Sequence, residues 1–254
     1  MDSIIQSPSI QPLADKLKEQ YGNKRVIAGV DELSQTNGII YKIKGFHQLL
    51  REIPAFRNHL ILVQICYQQR SVSSVYRGYE NQILEAVNAC LEEFPGSIDL
   101  RILRGSFYSI EERIALWKVS HVYLNTALTQ GLNLHPQEFL LTRRQEGGIA
   151  IVSEFTSSRE FLNGALAVNP WDVNSIVSQL EKAIEMSLNE VKLRQQRDID
   201  SINKREKRLW ASNVINNLLQ SDIEDSIQTT KQPGQEFLNE ELSAFTYHLD
   251  VMIV

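Results

Sequence analysis

The run His59-Leu-Ile-Leu-Val-Gln-Ile-Cys66 is apolar almost without a break. It is far too short to cross a bilayer, and it lacks the alternation of a strand wetted on one face. It fits a strand covered on both faces, which means a parallel sheet clothed by helices. Parallel neighbours need crossover connections, so the rest of the chain has to alternate strand and helix.

The residue pattern does alternate. Residues through Pro12 read as a polar lead-in, and Leu13 to Tyr21 as a helix stopped by Gly22-Asn23. Arg25 to Val30 is a short strand and Asp31 to Asn37 a polar loop. A helix then opens at Gly38, with Ile39, Ile43, Phe46, Leu49 and Leu50 on one face, and Pro54 breaks it. After the central strand comes a helix with Ile83, Leu84, Val87, Leu91 and Phe94 as its buried stripe, ended by Pro95-Gly96. Strands are predicted over Ile98–Leu103, Ser120–Asn125, Ile149–Val152 and Ala165–Val168, with helices at Ile110–Lys118, after Thr129 and through Leu162. Asp172 caps an amphipathic helix carrying Ile176, Leu180, Ala183 and Ile184. Ser187 to Leu219 is a charged helix, its run Lys192–Arg208 a solvated face. The expected fold is α/β, a doubly wound, Rossmann-like parallel sheet over residues 1–220. Residues 221–254 form a linker around Gln228–Gly234 and a terminal extension.

Function classes are narrowed by charge and cysteine usage. The net charge of −5 over 254 residues gives no electrostatic reason to expect nucleic acid or an anionic membrane. Cys66 and Cys90 sit in apolar stretches with no metal-ligand spacing, and read as reduced, buried thiols. No metal and no cofactor is expected, and the chain reads as soluble and cytoplasmic. His121 and His135 read as structural or solvent-facing, and Trp171 and Trp210 as packing anchors.

One turn invites a ligand. Thr129-Gln-Gly-Leu-Asn-Leu-His-Pro-Gln-Glu138 links a strand to a helix N-terminus, where unpaired backbone N–H groups and the helix dipole favour an anion such as phosphate. Glu138, one turn in, could accept from ribose hydroxyls. Most strand–turn–helix junctions bind nothing, so a turn kept for the fold alone is equally open.

The order of the segments resembles the trehalose-6-phosphate synthase family of retaining GT-B glycosyltransferases. Family members read V-I-L-G-V-D-R-L-D-Y-T-K-G-I-P; this chain has Val26-Ile-Ala-Gly-Val-Asp-Glu-Leu-Ser-Gln-Thr-Asn-Gly-Ile-Ile40. D-G-M-N-L-V-A-K-E-Y is matched by Gln130-Gly-Leu-Asn-Leu-His-Pro-Gln-Glu-Phe139, I-L-S-E-F by Ile151–Phe155, and G-A-L-L-V-N-P-W-D by Gly164–Asp172. The similar region runs from about Ser7 to Leu219 and corresponds to the C-terminal, nucleotide-sugar-binding half.

The resemblance implies specific losses. The family's Arg and Lys, which hold the donor diphosphate, fall at Glu32 and Asn37, and the Asp that contacts the donor sugar falls at Gln130. A leaving diphosphate needs fixed positive charge, so no catalytic residue is assigned. Lys42 matches a family lysine expected to face solvent. What remains for UDP or UDP-glucose is Gly131, Leu132, Asn133 and Leu134, with Gln130 and with Glu138 for the ribose. Glu154 is either an inherited site-lining residue or a loop cap. The family's N-terminal half, with the acceptor site, has no counterpart. The resemblance therefore implies a non-catalytic domain with a regulatory or scaffold role and a protein partner, either an acceptor domain or a catalytic synthase subunit. The alternative is the donor half of an active UDP-glucose:glucose-6-phosphate glucosyltransferase completed by a separate chain.

Overall fold

Strand and helix alternate through the computed structural model, which describes residues 2–68, 74–105, 108–204, 212 and 214–218. The order is α1 (Asp2–Ile5), α2 (Ile10–Tyr21), β1 (Arg25–Glu32), α3 (Ile39–Glu52), β2 (Leu60–Gln68), α4 (Ser74–Glu93) and β3 (Ile98–Arg104). It continues with α5 (Ile110–Val119), β4 (Ser120–Leu124), α6 (His135–Thr142), β5 (Ile149–Ser153), β6 (Leu166–Val168), α7 (Val173–Glu185) and α8 (Leu188–Lys204). The strands form one parallel sheet in the order β3-β2-β1-β4-β5-β6. This is the doubly wound order, which reverses direction between β1 and β4.

Alternation along β1 divides the core into two layers. Ile27 joins one apolar cluster with α3, α4 and α7, whereas Val26, Ala28 and Val30 join the other with α2, α5 and α6. The central run reads as apolar throughout because β2 feeds both layers: Leu62 and Cys66 lie on one side, and Ile61, Val63 and Ile65 on the other. Trp117 anchors the second layer, fully buried and edge-on to Tyr123 and Phe139. Cys66 and Cys90 are both buried and unpaired, and burial pushes the Cys66 thiol up to about 12.

Several expectations need correction. The stretch through Pro12 is no lead-in: α2 already starts at Ile10, because Ile10, Ala14, Leu17 and Tyr21 make a buried stripe, and Pro12 is tolerated in the first turn. The Asp31–Asn37 loop is shortened from both ends, by β1 running to Glu32 and by a 3₁₀ turn over Gln35–Asn37. The helix expected through Leu162 is a single 3₁₀ turn, Ser157–Glu160. Trp171 is 59 % exposed and merely leans on Tyr41. The solvated run of α8 hides Gln195, Asp198 and Ile199. Trp210, the Gln228–Gly234 linker and the terminal segment lie outside the described residues.

Asp198 illustrates a buried carboxylate held at some cost. Its Oδ1 accepts the Gly164 N–H at 2.6 Å, while Oδ2 has no partner among the described residues. Burial pushes its carboxyl up from 3.8 to about 6, opposed by the Gly164 N–H and Arg194. A raised carboxyl pKa gives stability that is full below pH 4 and lost as pH rises through about 6. Asp198→Asn keeps the acceptor and removes the charge. The variant is expected to be about 3 kcal/mol more stable above pH 6, with the gap closing below pH 4. Urea denaturation at pH 3.5 and 7.5 checks this; a variant less stable at pH 7.5 would count against it.

Candidate functional site

In an open parallel sheet, ligands sit beyond the carboxyl ends of the strands where the strand order reverses. Here that place lies between the ends of β1 and β4, and two loops wall it. After β1 the chain makes its 3₁₀ turn and reaches Gly38 in the left-handed region, φ 61°. A Cβ at Gly38 would fall 2.0 Å from the Thr126 carbonyl oxygen on the second wall. The walls are bonded directly: Leu128 N–H donates to Thr36 O at 2.7 Å, and Thr126 Oγ1 to Gly38 O at 3.0 Å.

A chain of amide side chains then clasps the walls together. Asn37 donates from Nδ2 to Glu32 O at 3.0 Å, and its Oδ1 accepts from Gln130 Nε2 at 3.1 Å. Gln130 Oε1 accepts in turn from Asn125 Nδ2 and Asn133 Nδ2, both at 2.9 Å. Asn125 Oδ1 takes the Ala127 N–H, and Asn133 Oδ1 takes the His135 N–H. Every member of this clasp is neutral. Asn37 is buried, while the Glu32 carboxylate is half-buried and forms no ion pair among the described residues.

Beside the clasp lies a cavity of about 300 Å³, bordered by Asp31, Tyr67, Arg113, Asn133, His135 and Glu138. Its charges are already spent on one another. Arg113 grips Glu138 bidentately, Nε to Oε2 at 2.7 Å and Nη2 to Oε1 at 2.9 Å, with Trp117 Nε1 at 3.4 Å from Oε2. Asp31 Oδ2 receives Lys42 Nζ at 2.6 Å and Gln64 Nε2 at 2.9 Å. Lys42 is completely buried beneath the crevice, which overturns its expected solvent-facing place. Position 42 lies on the sheet-facing side of α3, and Gly29 leaves the space that its ammonium fills. His135 Nδ1 lies 3.0 Å from Val30 O, so Nδ1 carries the proton and Nε2 is an acceptor. Burial, with Arg113 nearby, lowers its pKa and keeps the ring neutral.

The structure brings Gln130, Asn133 and Glu138 to this cavity together with Leu132 and Leu134, whose side chains are largely exposed. The backbone N–H groups of Gly131 to Leu134 donate to nothing among the described residues. Glu138 is present, but both its oxygens are engaged by Arg113. Glu154 is exposed and stands apart from the cavity. Sequence reasoning missed Asn125, Asp31, Lys42 and Arg113. The only local signal was for Asn125, a polar residue at the carboxyl end of an apolar strand; the others depend on tertiary neighbours. Among the described residues no cluster of His, Cys, Asp and Glu could hold a metal ion, and no helix is long and apolar enough to cross a membrane.

A parallel sheet of this order, with a polar crevice at its reversal, defines an α/β domain of the kind that makes up one half of a GT-B glycosyltransferase. The model of glycosyltransferase family 20 matches residues 1–220. The chain belongs to that family, that of the trehalose-6-phosphate synthases. It is 31 % identical over 231 residues to a probable alpha,alpha-trehalose-phosphate synthase [UDP-forming] of Arabidopsis thaliana, covering 90 % of this chain and 29 % of the relative. The 56 kDa subunit of the Saccharomyces cerevisiae synthase is 27 % identical, over 84 % of this chain and 43 % of its own length. The fold is shared with the Burkholderia xenovorans synthase crystallised with glucose-6-phosphate, at TM-score 0.80 and 23 % identity, over 85 % of this chain and 48 % of that one. A structure from E. coli bound with UDP-2-fluoro glucose superposes at TM-score 0.78. The chain thus spans at most about half the length of these relatives.

Proposed function

We propose that this chain is a non-catalytic trehalose-6-phosphate-synthase-like domain with a regulatory or scaffold role beside a catalytic subunit or acceptor domain. The observation that carries the reading is the neutral clasp. Where the family places diphosphate-holding cations, Asn37 is tied to Gln130 and Glu32 stands as an unpaired carboxylate. A diphosphate leaving group finds no free cation among the described residues of the crevice, and Glu32 repels it. The unpaired N–H groups of Gly131 to Leu134 support residual, weak UDP or UDP-glucose binding.

Two experiments test the parts separately. Calorimetry with UDP-glucose is expected to give millimolar affinity, and Glu32→Arg with Asn37→Lys and Gln130→Asp to tighten it about tenfold or more, since each charge-assisted bond is worth about 1.5–3 kcal/mol. Absence of heat and of any thermal shift at millimolar ligand removes the binding clause. Mixing the chain with a family acceptor domain, UDP-glucose and glucose-6-phosphate is expected to give no trehalose 6-phosphate. Product formation overturns the non-catalytic reading.

A further inference from the structure

A second cavity, of about 150 Å³, opens at the other end of the sheet, where the strands begin. Lys18, Lys24, Lys118, His121 and Arg143 border it, contributed by α2, the turn before β1, α5, β4 and the end of α6. Four of these are cations, brought together with the neutral His121 from five separate places in a chain whose net charge is −5. An adjoining space of about 100 Å³ shares His121 and Arg143.

Arg143 is the decisive residue. It is only 8 % exposed, yet no carboxylate lies within ion-pair distance of it among the described residues. Its Nε donates to Gly147 O at 2.9 Å and its Nη1 to Lys118 O at 2.6 Å, while Nη2 donates to nothing among the described residues. A buried guanidinium is ordinarily paired with an anion. His121 adds a directed donor. The Val26 N–H donates to its Nδ1 at 3.1 Å, so the ring hydrogen sits on Nε2.

Two local sources of negative charge fall short of balancing this end. The carbonyl ends of α2, α5 and α6 converge here and favour cations, but each supplies only about half an elementary charge. The carboxylates at hand are Asp15, 3.8 Å from Lys18 and 59 % exposed, and Glu146, an exposed residue at the border of the adjoining space whose charge only partly offsets the burial of Arg143. Lys24 is held by the Gly96 carbonyl and Lys118 rests against Gln11 Oε1, both neutral. Burial and the positive field of Arg143 and Arg25 push the His121 pKa down to about 4, in keeping with a site that lacks its counter-charge.

We infer that this cavity is an anion site for a phosphoryl group, supplied either by inorganic phosphate or by a small phosphate ester, at the opposite end of the sheet from the donor crevice. Arg143 Nη2 and His121 Nε2–H are the inner donors, and the three lysines close the mouth. The size suits one phosphoryl group.

The test is a calorimetric titration of the full chain at constant ionic strength, with sodium phosphate in one arm and a hexose phosphate in the other, and sodium chloride as the baseline. Saturable binding is expected, with a matching rise in Tm, and the tighter arm identifies the source. Lys24→Glu with Lys118→Glu is expected to weaken binding about tenfold or more while leaving Tm in chloride nearly unchanged, because both side chains are partly solvated. The inference is overturned by absence of saturable binding in both arms, or by affinity that the double variant leaves intact.

Discussion

Lys42→Met is expected to remove about 3–5 kcal/mol of folding stability, the cost of breaking a buried pair from one side. Neither partner can turn to water: the Lys42 and Asp31 side chains are 0 % and 1 % exposed, with Nζ 2.6 Å from Oδ2. Removal of the ammonium leaves Asp31 with Gln64 Nε2 as its remaining side-chain donor, and its Oδ1 already lacks a partner among the described residues. Much of the loss therefore belongs to the stranded carboxylate. The double variant Lys42→Met, Asp31→Leu is expected to recover more than half of it, since an apolar pair of similar volume often matches a buried ion pair. Urea denaturation of the two single variants and the double variant measures the coupling. A loss below about 1 kcal/mol in Lys42→Met would show that the pair is incidental.

Gly38→Ala is expected to cost about 3–5 kcal/mol, from two penalties at one atom. An L residue at φ 61° is strained by about 1–3 kcal/mol, and its Cβ would sit 2.0 Å from the Thr126 carbonyl oxygen, an overpacking worth about 1–3 kcal/mol more. The obstruction is backbone, so no side chain can swing aside. Relief requires the walls to part, which breaks the Leu128–Thr36 and Thr126–Gly38 hydrogen bonds. Gly131 is the control, because a Cβ there meets nothing within 4 Å and φ is not positive. Gly131→Ala is expected to lie within about 0.5 kcal/mol of the parent. Equal losses in the two variants would refute the steric account.

The sheet was legible because its signals are local. The unbroken apolar run of β2 demanded helices on both faces, and the breaks at Gly22, Pro54 and Pro95-Gly96 delimited the elements within a residue or two. The start of α2 was misplaced because Pro12 reads as a breaker, whereas three residues into a helix it removes no intrahelical bond. The site was legible only in outline. The turn at Gln130–Leu134 announced itself by spacing, and the resemblance to a family located Glu32 and Asn37 across the sheet. The bonds that define the crevice could not be read so easily. Asn37 and Gln130 are 93 positions apart, and the pairing of Arg113 with Glu138 spans two helices. Lys42 was misread because a lysine on an amphipathic helix ordinarily snorkels to water; only the absence of a side chain at Gly29 and the carboxylate of Asp31 make a dry place for it.

The amide clasp bears finally on the timing of events in the crevice. In many nucleotide-binding domains the loops flanking the site are drawn together by the ligand, and the entropy of ordering them is charged against affinity. Here Asn37, Gln130, Asn125 and Asn133 hold both walls with bonds that no ionic strength screens and no physiological pH titrates. The two walls are therefore held together by the chain's own side chains. A crevice closed in this way is expected to hold its shape through changes of salt and pH that would loosen one closed by ion pairs.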